Sequence, residues 1–329
     1  MKKFARSIDF WDLLLATACL AIFLYAAIFV PYFLSGFNLS QLAASASEKA
    51  LLILPMTLLI ITREIDLSIA SVLALTSVVF GLLVQAGVPT PAAIPLTLVA
   101  GALLGAFNGY LVSGLGLQSL VVTLGTMALY RGIGYILLGT GSVNILPPAV
   151  VDFGINNLPG TQIPWTIVPF LLLAPLFAVV LQKTPAGKRI YALGGSPEVA
   201  RYSGINTRRM VLKLFVVSGI VAAIAGIVYT ARLSNARANN ALGMELDVIT
   251  IVLLGGVSVF GGKGRLTGVM LALVLIAIIR NVLALSQIGG DAQGMIIGML
   301  LIGSLLVGNY WRSTQELLSR SRAMRETKG

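Results

Sequence analysis

The chain has 329 residues, 57% of them hydrophobic and only 11% charged, with a mean hydropathy of +0.94. Soluble domains carry about 25% charged residues, so this composition excludes a soluble globular protein and indicates an integral membrane protein. There is no histidine, and the only cysteine, Cys19, lies in an apolar run. An intrachain disulfide is therefore excluded, and the commonest general base and metal ligand is absent. The net charge of +11 is divided among separate loops, so we expect no nucleic-acid partner.

The apolar runs predict the membrane spans, since a helix needs about 20 residues to cross the hydrocarbon. We predict an all-α integral membrane protein of about ten transmembrane helices, the first an uncleaved helix behind a basic N-terminus. The ten runs are 13–33, 42–62, 68–86, 92–114, 118–138, 164–182, 211–231, 246–262, 266–286 and 292–310. The second, third and eighth are the least regular, because they hold or follow charged residues or contain Pro55 or paired glycines. Each of these three could be broken or re-entrant.

The basic residues orient these helices. With both termini and segment 183–213 in the cytoplasm, 18 of the 23 lysines and arginines lie on the cytoplasmic side, as the positive-inside rule requires. The exceptions are Lys49, Arg131, Arg232, Arg237 and Arg280. The outer loops 139–163 and 233–244 are rich in Gly, Pro and Asn and have few charges. They suit either ordinary connections or a docking surface that includes Arg232, Arg237 and Asn239.

A weak internal repeat suggests two inverted halves of five helices. The sequence Glu-Ile-Asp-Leu at Glu64 is matched by Glu-Leu-Asp-Val at Glu245, and each is followed roughly 40 residues later by an asparagine, Asn108 or Asn281. Chance similarity is the competing explanation, because the alignment needs an eight-residue gap. Inverted repeats are common in transporters. The halves would be about 1–141 and 164–310.

Polar side chains inside the apolar runs need partners or water, because lipid does not solvate them. We predict that they line a translocation path or make structural bonds to carbonyls and carboxylates, and the sequence leaves both possibilities open. These residues are Asp66, Asn108, Arg131, Arg280 and Asn281.

Two glycine patterns lead to different predictions. Gly101, Gly105 and Gly109 lie on one helix face and predict close packing, within the subunit or against a second copy. Segment 257–264 resembles a phosphate-binding loop, but it lacks the first glycine and the Ser or Thr that would bind magnesium. We therefore expect no nucleotide site and no cofactor bound by this chain.

Segment 183–213 is the longest polar stretch, with seven cations and Glu198 as its only acid. Ser196 as the cap, Pro197 at the first position and Glu198 in the first turn predict a short helix from Pro197 to Tyr202. Gly204 would end that helix.

Four stretches in matching order, covering nearly the whole chain, resemble the permeases of monosaccharide ABC importers. That family includes permeases for ribose, arabinose, xylose, galactose, rhamnose and autoinducer-2. The stretches are Ile65–Ser71; Asn108–Gly109 with Thr123–Gly125 and Arg131–Gly132; Gly187–Ile205; and Leu254–Gly256 with Gly261–Gly264 and Asn281. Three sites depart from the family pattern, so ribose is not assumed, and the outer segment 233–250 favours rhamnose or autoinducer-2. The departures are Arg63-Glu64 for Gly-Gly, Ala70 for Gly, and Gln118-Ser119 for Pro.

The resemblance implies paired ten-span subunits, as a homodimer or a heterodimer, in the bacterial inner membrane. It also implies a partner ABC ATPase that holds ATP and Mg, and a periplasmic sugar-binding protein. On this interpretation residues 1–329 form one permease domain, with a cytoplasmic coupling loop at 183–213 and a basic cytoplasmic tail at 311–329. The ATPase contacts would be Ser196, Pro197, Glu198, Val199, Ala200, Arg201, Gly204, Arg208 and Arg209, with Val199 and Ala200 seated in a groove of the ATPase. A solvated basic loop is the alternative.

The sequence thus predicts a non-enzymatic transport subunit that takes a monosaccharide or a similar small molecule across the membrane. The alternative is a secondary transporter, which would need an ion site within the spans. The lack of histidine and the few intramembrane carboxylates weigh against that alternative.

Overall fold

The structure is a computed structural model that describes residues 10–290, 292–299 and 302–303, and these residues form a helical bundle. Within these ranges the only β pairing is two isolated bridges, Val143 with Ala236 and Asn157 with Pro164. The α-helices are α1 (Phe10–Phe29), α2 (Gly36–Ile61), α3 (Ile69–Gln85), α4 (Thr90–Gly109), α5 (Ser119–Leu138), α6 (Pro148–Ile155), α7 (Val168–Lys183), α8 (Pro185–Gly195), α9 (Pro197–Tyr202), α10 (Thr207–Leu233), α11 (Met244–Leu254) and α12 (Leu266–Leu285). A π-helical turn, Tyr110–Gly114, extends α4, and a 3₁₀ turn, Trp165–Ile167, precedes α7.

Seven helices in the described part of the chain are long and apolar enough to cross a membrane: α1, α2, α4, α5, α7, α10 and α12. The prediction of an all-α membrane protein is confirmed. The third predicted run corresponds to α3, whose 17 residues rise only about 25 Å. The number of ten spans is not established, because residues 300–301 and 304–310 of run 292–310, the tail 311–329 and the first nine residues lie outside the described ranges.

The eighth predicted run, 246–262, is not one continuous helix, which is the break that the sequence left open for this run. Helix α11 has 11 residues and ends at Leu254, a rise of about 16 Å. Beyond it, four glycines between residues 256 and 264 have positive φ, a conformation that side chains with a Cβ rarely adopt. The chain therefore continues as an irregular segment from Gly255 to Arg265. The second run shows no such break, since Pro55 lies inside the continuous helix α2.

The segments that the charge pattern assigns to the cytoplasm meet at one end of the bundle. Arg63, just after α2, donates from Nε to the Gly194 carbonyl at 2.7 Å and from Nη2 to the Gly195 carbonyl at 2.6 Å. The Gly262 amide donates to the Ile61 carbonyl at 2.8 Å. The end of α2, the end of α8 and the glycine-rich segment 255–264 are thus joined by hydrogen bonds.

The segments assigned to the outer side meet at the opposite end. Val143 and Ala236, from the two outer loops, exchange backbone hydrogen bonds of 3.0 Å each. The Ser40 hydroxyl, in the first turns of α2, donates to Asn157 Oδ1 at 2.8 Å. The outer loops therefore form one connected surface.

Helix α10 organises the packing, because it contacts α2, α3, α4 and α6. Gly101 and Gly105 of α4 lie against the backbone of Gly219 and Phe215 of α10, so a Cβ at either glycine would overlap a carbonyl oxygen. The glycine motif therefore serves packing within the subunit rather than against a second copy.

This contact predicts the effect of a single methyl group. Gly105→Ala should destabilise the protein by about 1–3 kcal/mol, because the new Cβ overpacks against rigid backbone. Gly125→Ala on α5 is the matched control, since nothing lies within 4 Å of its Cβ position and Ala favours helix over Gly. Thermal unfolding of the detergent-purified variants measures both. Equal melting temperatures for the two would contradict the close contact of α4 with α10.

Candidate functional site

A buried polar network surrounds Asp66, which is 3% exposed at the start of α3. Asp66 Oδ1 accepts from the Ser68 amide at 3.0 Å and from the Ser68 hydroxyl at 2.6 Å. Its other oxygen accepts from the Ser218 hydroxyl at 3.0 Å. Ser218 lies 11 residues into α10, about 16 Å from that helix's start, so Asp66 sits at membrane depth.

Asn108 extends this network to α4 and α5. Its amide donates to the Ser68 hydroxyl at 2.8 Å, and its carbonyl oxygen accepts from the Tyr130 hydroxyl at 3.0 Å. Asn108 is fully buried and Tyr130 is 2% exposed. Because the named groups all have partners inside the chain, the geometry favours structural bonds over a path for Asp66 and Asn108.

A second polar cluster consists of charged residues on four helices. Glu48 of α2 pairs with Arg232 of α10 at 2.6 Å. Lys49 and Arg280 both bind Asp247, at 2.8 Å and 2.6 Å. Asp247 lies in the first turn of α11, where a negative charge is favourable. We call these five side chains the charge cluster.

A cavity of about 330 Å³ opens beside the charge cluster, between α2 and α12. Its polar lining is Gln41, Ser45, Lys49, Arg280, Asn281 and Gln293. Its apolar walls come from Ile251, Leu273 and Ile276. Cationic side chains at membrane depth face water or a protein partner rather than lipid, so this cavity has the lining expected of a hydrated space. We call it the outer cavity.

Asn281 joins the outer cavity to the start of α2. It forms a reciprocal amide pair with Asn38, with N–O distances of 2.8 Å and 3.0 Å, and Asn38 also donates to the Phe33 carbonyl at 2.8 Å. The predicted residues Arg280 and Asn281 are therefore brought to one cavity. Asp66, Asn108 and Arg131 do not line it.

Arg131 has a different position. Its Nη1 donates to the carbonyls of Ala238 and Asn240 at 2.8 Å and 2.6 Å. It thus holds the loop between α10 and α11 against α5. This arrangement matches the structural alternative stated for Arg131.

The predicted docking set needs one correction. Arg232 is bound to Glu48 and lies over the Tyr229 ring at 5.5 Å, so its guanidinium is engaged inside the bundle. Arg237 and Asn239 are exposed and keep their predicted place on the outer surface.

The short helix predicted in segment 183–213 is present as α9, with the expected bounds. The Ser196 hydroxyl accepts from the Val199 amide at 3.3 Å, and Gly204 follows with a φ of +80°. Val199 is 63% exposed, whereas Ala200 is 2% exposed. Ala200 packs inside this chain, so its predicted seat in a partner is wrong.

The exposed surface around α9 includes one residue that the sequence prediction missed. Tyr202, at the end of α9, is 92% exposed. An aromatic residue at the last position of a predicted helix could have been noticed as a contact, but its outward orientation is known only from the structure. Arg201, Arg208 and Arg209 are exposed as predicted.

Helix α8 anchors α9 to the bundle. Besides the Arg63 bonds, the Tyr191 hydroxyl donates to the Gly264 carbonyl at 2.7 Å. Burial raises the pKa of the Tyr191 phenol, against a smaller opposite effect of the Arg265 charge, so the hydroxyl keeps its proton and remains a donor.

Comparison with known proteins identifies relatives across most of the chain. Residues 38–305 match a family described as the permease component of branched-chain amino acid transport systems. The chain is 33% identical over 287 residues to the ribose import permease protein RbsC of Haemophilus influenzae, covering 85% of this chain and 87% of that protein. It is 34% identical over 299 residues to the D-allose transport system permease protein AlsC of Escherichia coli, covering 90% and 91%. It is 35% identical over 255 residues to the autoinducer 2 import system permease protein LsrD of Photorhabdus laumondii, covering 76% of each. No solved structure is significantly similar.

Removal of the Asp247 carboxylate tests the charge cluster. Asp247→Asn should destabilise the protein, because Lys49 and Arg280 then lose their common carboxylate. The loss should be smaller than the about 3–5 kcal/mol of a fully buried pair, since the Asp247 side chain is 20% exposed. Asp152→Asn, at an exposed site on α6, is the control. A melting temperature of Asp247→Asn no lower than that of the control would contradict this role.

Proposed function

This chain belongs to the permease family of monosaccharide ABC importers, and we propose that it forms the path of a small sugar across the bacterial inner membrane. A periplasmic binding protein would deliver the sugar to the outer surface, and an ATPase would drive the cycle from the cytoplasm. The outer cavity is the observation that supports a translocation path through this chain. The secondary-transporter alternative finds no support in these relatives.

The outer cavity has the chemistry of a weak sugar site. Its volume falls within the range of about 300–1,000 Å³ that is typical of small-molecule sites. The amides of Gln41, Asn281 and Gln293 can exchange hydrogen bonds with hydroxyl groups, and Ile251 and Ile276 offer an apolar face to ring carbons. Lys49 and Arg280 share the single carboxylate of Asp247, so these three side chains keep one net positive charge, and a neutral sugar would meet them through hydrogen bonds to its hydroxyl groups.

The relatives narrow the substrate class without fixing the substrate. They are named for ribose, a pentose, for allose, a hexose, and for autoinducer 2. The autoinducer-2 part of the sequence prediction therefore remains a candidate beside ribose and allose. Rhamnose has no support among these relatives and is not retained.

Coupling to the ATPase is proposed to run through α9. Val199 and Tyr202 present exposed apolar surface, and Arg201, Arg208 and Arg209 surround it with exposed positive charge. Such a patch suits a partner groove of apolar floor and acidic rim.

Two inverted halves remain part of the proposal, and the packing supports them. Helix α10 packs on α3 and α4, while α2 packs on α11 and α12. Asp66 reaches across to Ser218 of α10, and Asp247 reaches across to Lys49 of α2. The two matched acidic motifs thus make matching contacts. We also propose that both termini lie in the cytoplasm, because the positive-inside rule places the basic segments on that side.

The coupling surface predicts a selective defect. Val199→Asp should abolish association with the ATPase, because a charge is placed in the apolar contact, while the permease itself still folds. Leu242→Asp, 69% exposed at the outer end, is the matched control and should leave association unchanged. Co-purification of the ATPase with each variant is the measurement. Normal co-purification of the ATPase with the Val199 variant would show that α9 is not part of the contact.

The outer cavity predicts a block by a bulky side chain. Ser45→Trp should reduce ATP-dependent uptake in vesicles to background for whichever of ribose, allose and autoinducer 2 the wild type transports. The indole would fill the cavity, and the Ser45 hydroxyl bonds only within its own helix turn. Leu39→Trp, on α2 outside the cavity lining, should transport normally. Uptake of none of the three compounds by the wild type would contradict the substrate class, and normal uptake by Ser45→Trp would contradict the path.

A further inference from the structure

A second, larger cavity of about 680 Å³ lies at the cytoplasmic end of the bundle, between α7, α8 and α10. Its floor is apolar and includes Leu176, Phe177 and Val180 of α7 and Met210 and Val217 of α10. The floor is continuous with outward-facing apolar residues of α7, since Leu172 is 71% exposed and Leu176 is 55% exposed. We call this cavity the basal groove.

The rim of the basal groove is positively charged. Arg189, Arg209 and Lys213 line it and are exposed, and none of the three forms an ion pair within the described part of the chain. Arg209 and Lys213 are four residues apart on α10, where like charges repel. Ser203 and Asn206 add hydrogen-bonding groups, and the lining contains no Asp or Glu.

The position of the basal groove matches the boundary between hydrocarbon and headgroups. Helices α7 and α10 are candidate spans that end and begin at Lys183 and Thr207. The cations therefore lie at the cytoplasmic ends of two spans, while the apolar floor continues towards the hydrocarbon. Basic pockets between helices on the cytoplasmic side are the sites where anionic lipid headgroups bind.

We propose that the basal groove binds one anionic phospholipid, with its phosphate at Arg189, Arg209 and Lys213 and its acyl chains along α7 and α10. The lipid would neutralise three cations that have no carboxylate partner among the described residues and would cover the apolar floor. This inference goes beyond the proposed function, because it requires membrane insertion but neither sugar transport nor an ATPase.

The other candidate occupants fit the basal groove less well. The chain's own segments outside the described residues, 1–9 and 304–329, both carry more Lys and Arg than Asp and Glu, so a basic rim repels them. The apolar contact of the ATPase surface proposed above uses Val199 and Tyr202, which do not line this groove, and Arg209 alone belongs to the rims of both surfaces.

Lipid binding can be measured on the full chain in detergent without the ATPase. Native mass spectrometry with added dioleoyl-phosphatidylglycerol should show one retained lipid, with dioleoyl-phosphatidylcholine retained much less. Arg189→Gln and Lys213→Gln should each weaken phosphatidylglycerol binding by about five-fold, as expected for the loss of one headgroup cation. Lys188→Gln is the matched control, because Lys188 neighbours Arg189 and is exposed but lies outside the lining. Glycerol 3-phosphate, which has the phosphate without the chains, should not compete.

A labelling experiment tests the location independently of affinity. In a Cys19→Ala background, a cysteine introduced by Ser203→Cys should react more slowly with maleimide in phosphatidylglycerol nanodiscs than in phosphatidylcholine nanodiscs. Lys188→Cys should react equally in both. Equal loss of lipid binding in Lys188→Gln and Lys213→Gln, or no preference of the wild type for phosphatidylglycerol, would overturn the proposal. Protection of the Ser203 site by the ATPase but not by lipid would assign the groove to protein contact and also overturn it.

Discussion

The helix packing depends on how two adjacent charged residues are stabilised within the membrane-spanning helix α2. Glu48 and Lys49 lie in the middle of a helix whose inner half is almost wholly buried, and an isolated charge at that depth is costly. Both charges are paired, but with different helices: Glu48 with α10 and Lys49, through Asp247, with α11 and α12. Opposite charges on neighbouring residues therefore fix the order of helices around α2.

This constraint also explains the short helix α11. Asp247 must stand at the level of Lys49, and its place in the first turn lets the helix dipole favour its charge. Below Leu254 the backbone approaches α12 so closely that a Cβ at Gly255 would overlap Val269. The glycine-rich segment then turns to meet Ile61 and Gly194. A continuous helix through residue 262 would satisfy neither contact.

The sequence predicted the helices well where the signals lie within the helix itself, namely the spacing of apolar residues, the capping residues and nearby charges. Helix α9 was predicted to the residue, because its cap, its first-turn proline and acid, and the terminating glycine are all local signals. The exact end of α11, the burial of Ala200 and the pairing of Arg232 with Glu48 were not predicted, because they depend on neighbours distant in sequence. Lys49 was visible as an exception to the charge rule, which signals a buried partner, but its partner Asp247 lies in the other half of the chain. The outer cavity could not be predicted, since its lining comes from residues as far apart as Gln41 and Gln293.

The proposed coupling surface and the proposed sugar path are connected by one rigid element. Helix α2 lines the outer cavity with Gln41, Ser45 and Lys49 and runs without a break to Ile61. Directly beyond that end, Arg63 holds the carbonyls of Gly194 and Gly195, where α8 leads into α9. A displacement of α9 by an ATPase would thus act on the base of the helix that carries the charge cluster. Because Lys49 shares Asp247 with Arg280 of α12, a shift of α2 relative to α12 must stretch one of these two ion pairs. Opening of the outer cavity between α2 and α12 would therefore cost the free energy needed to separate Asp247 from Lys49 or from Arg280.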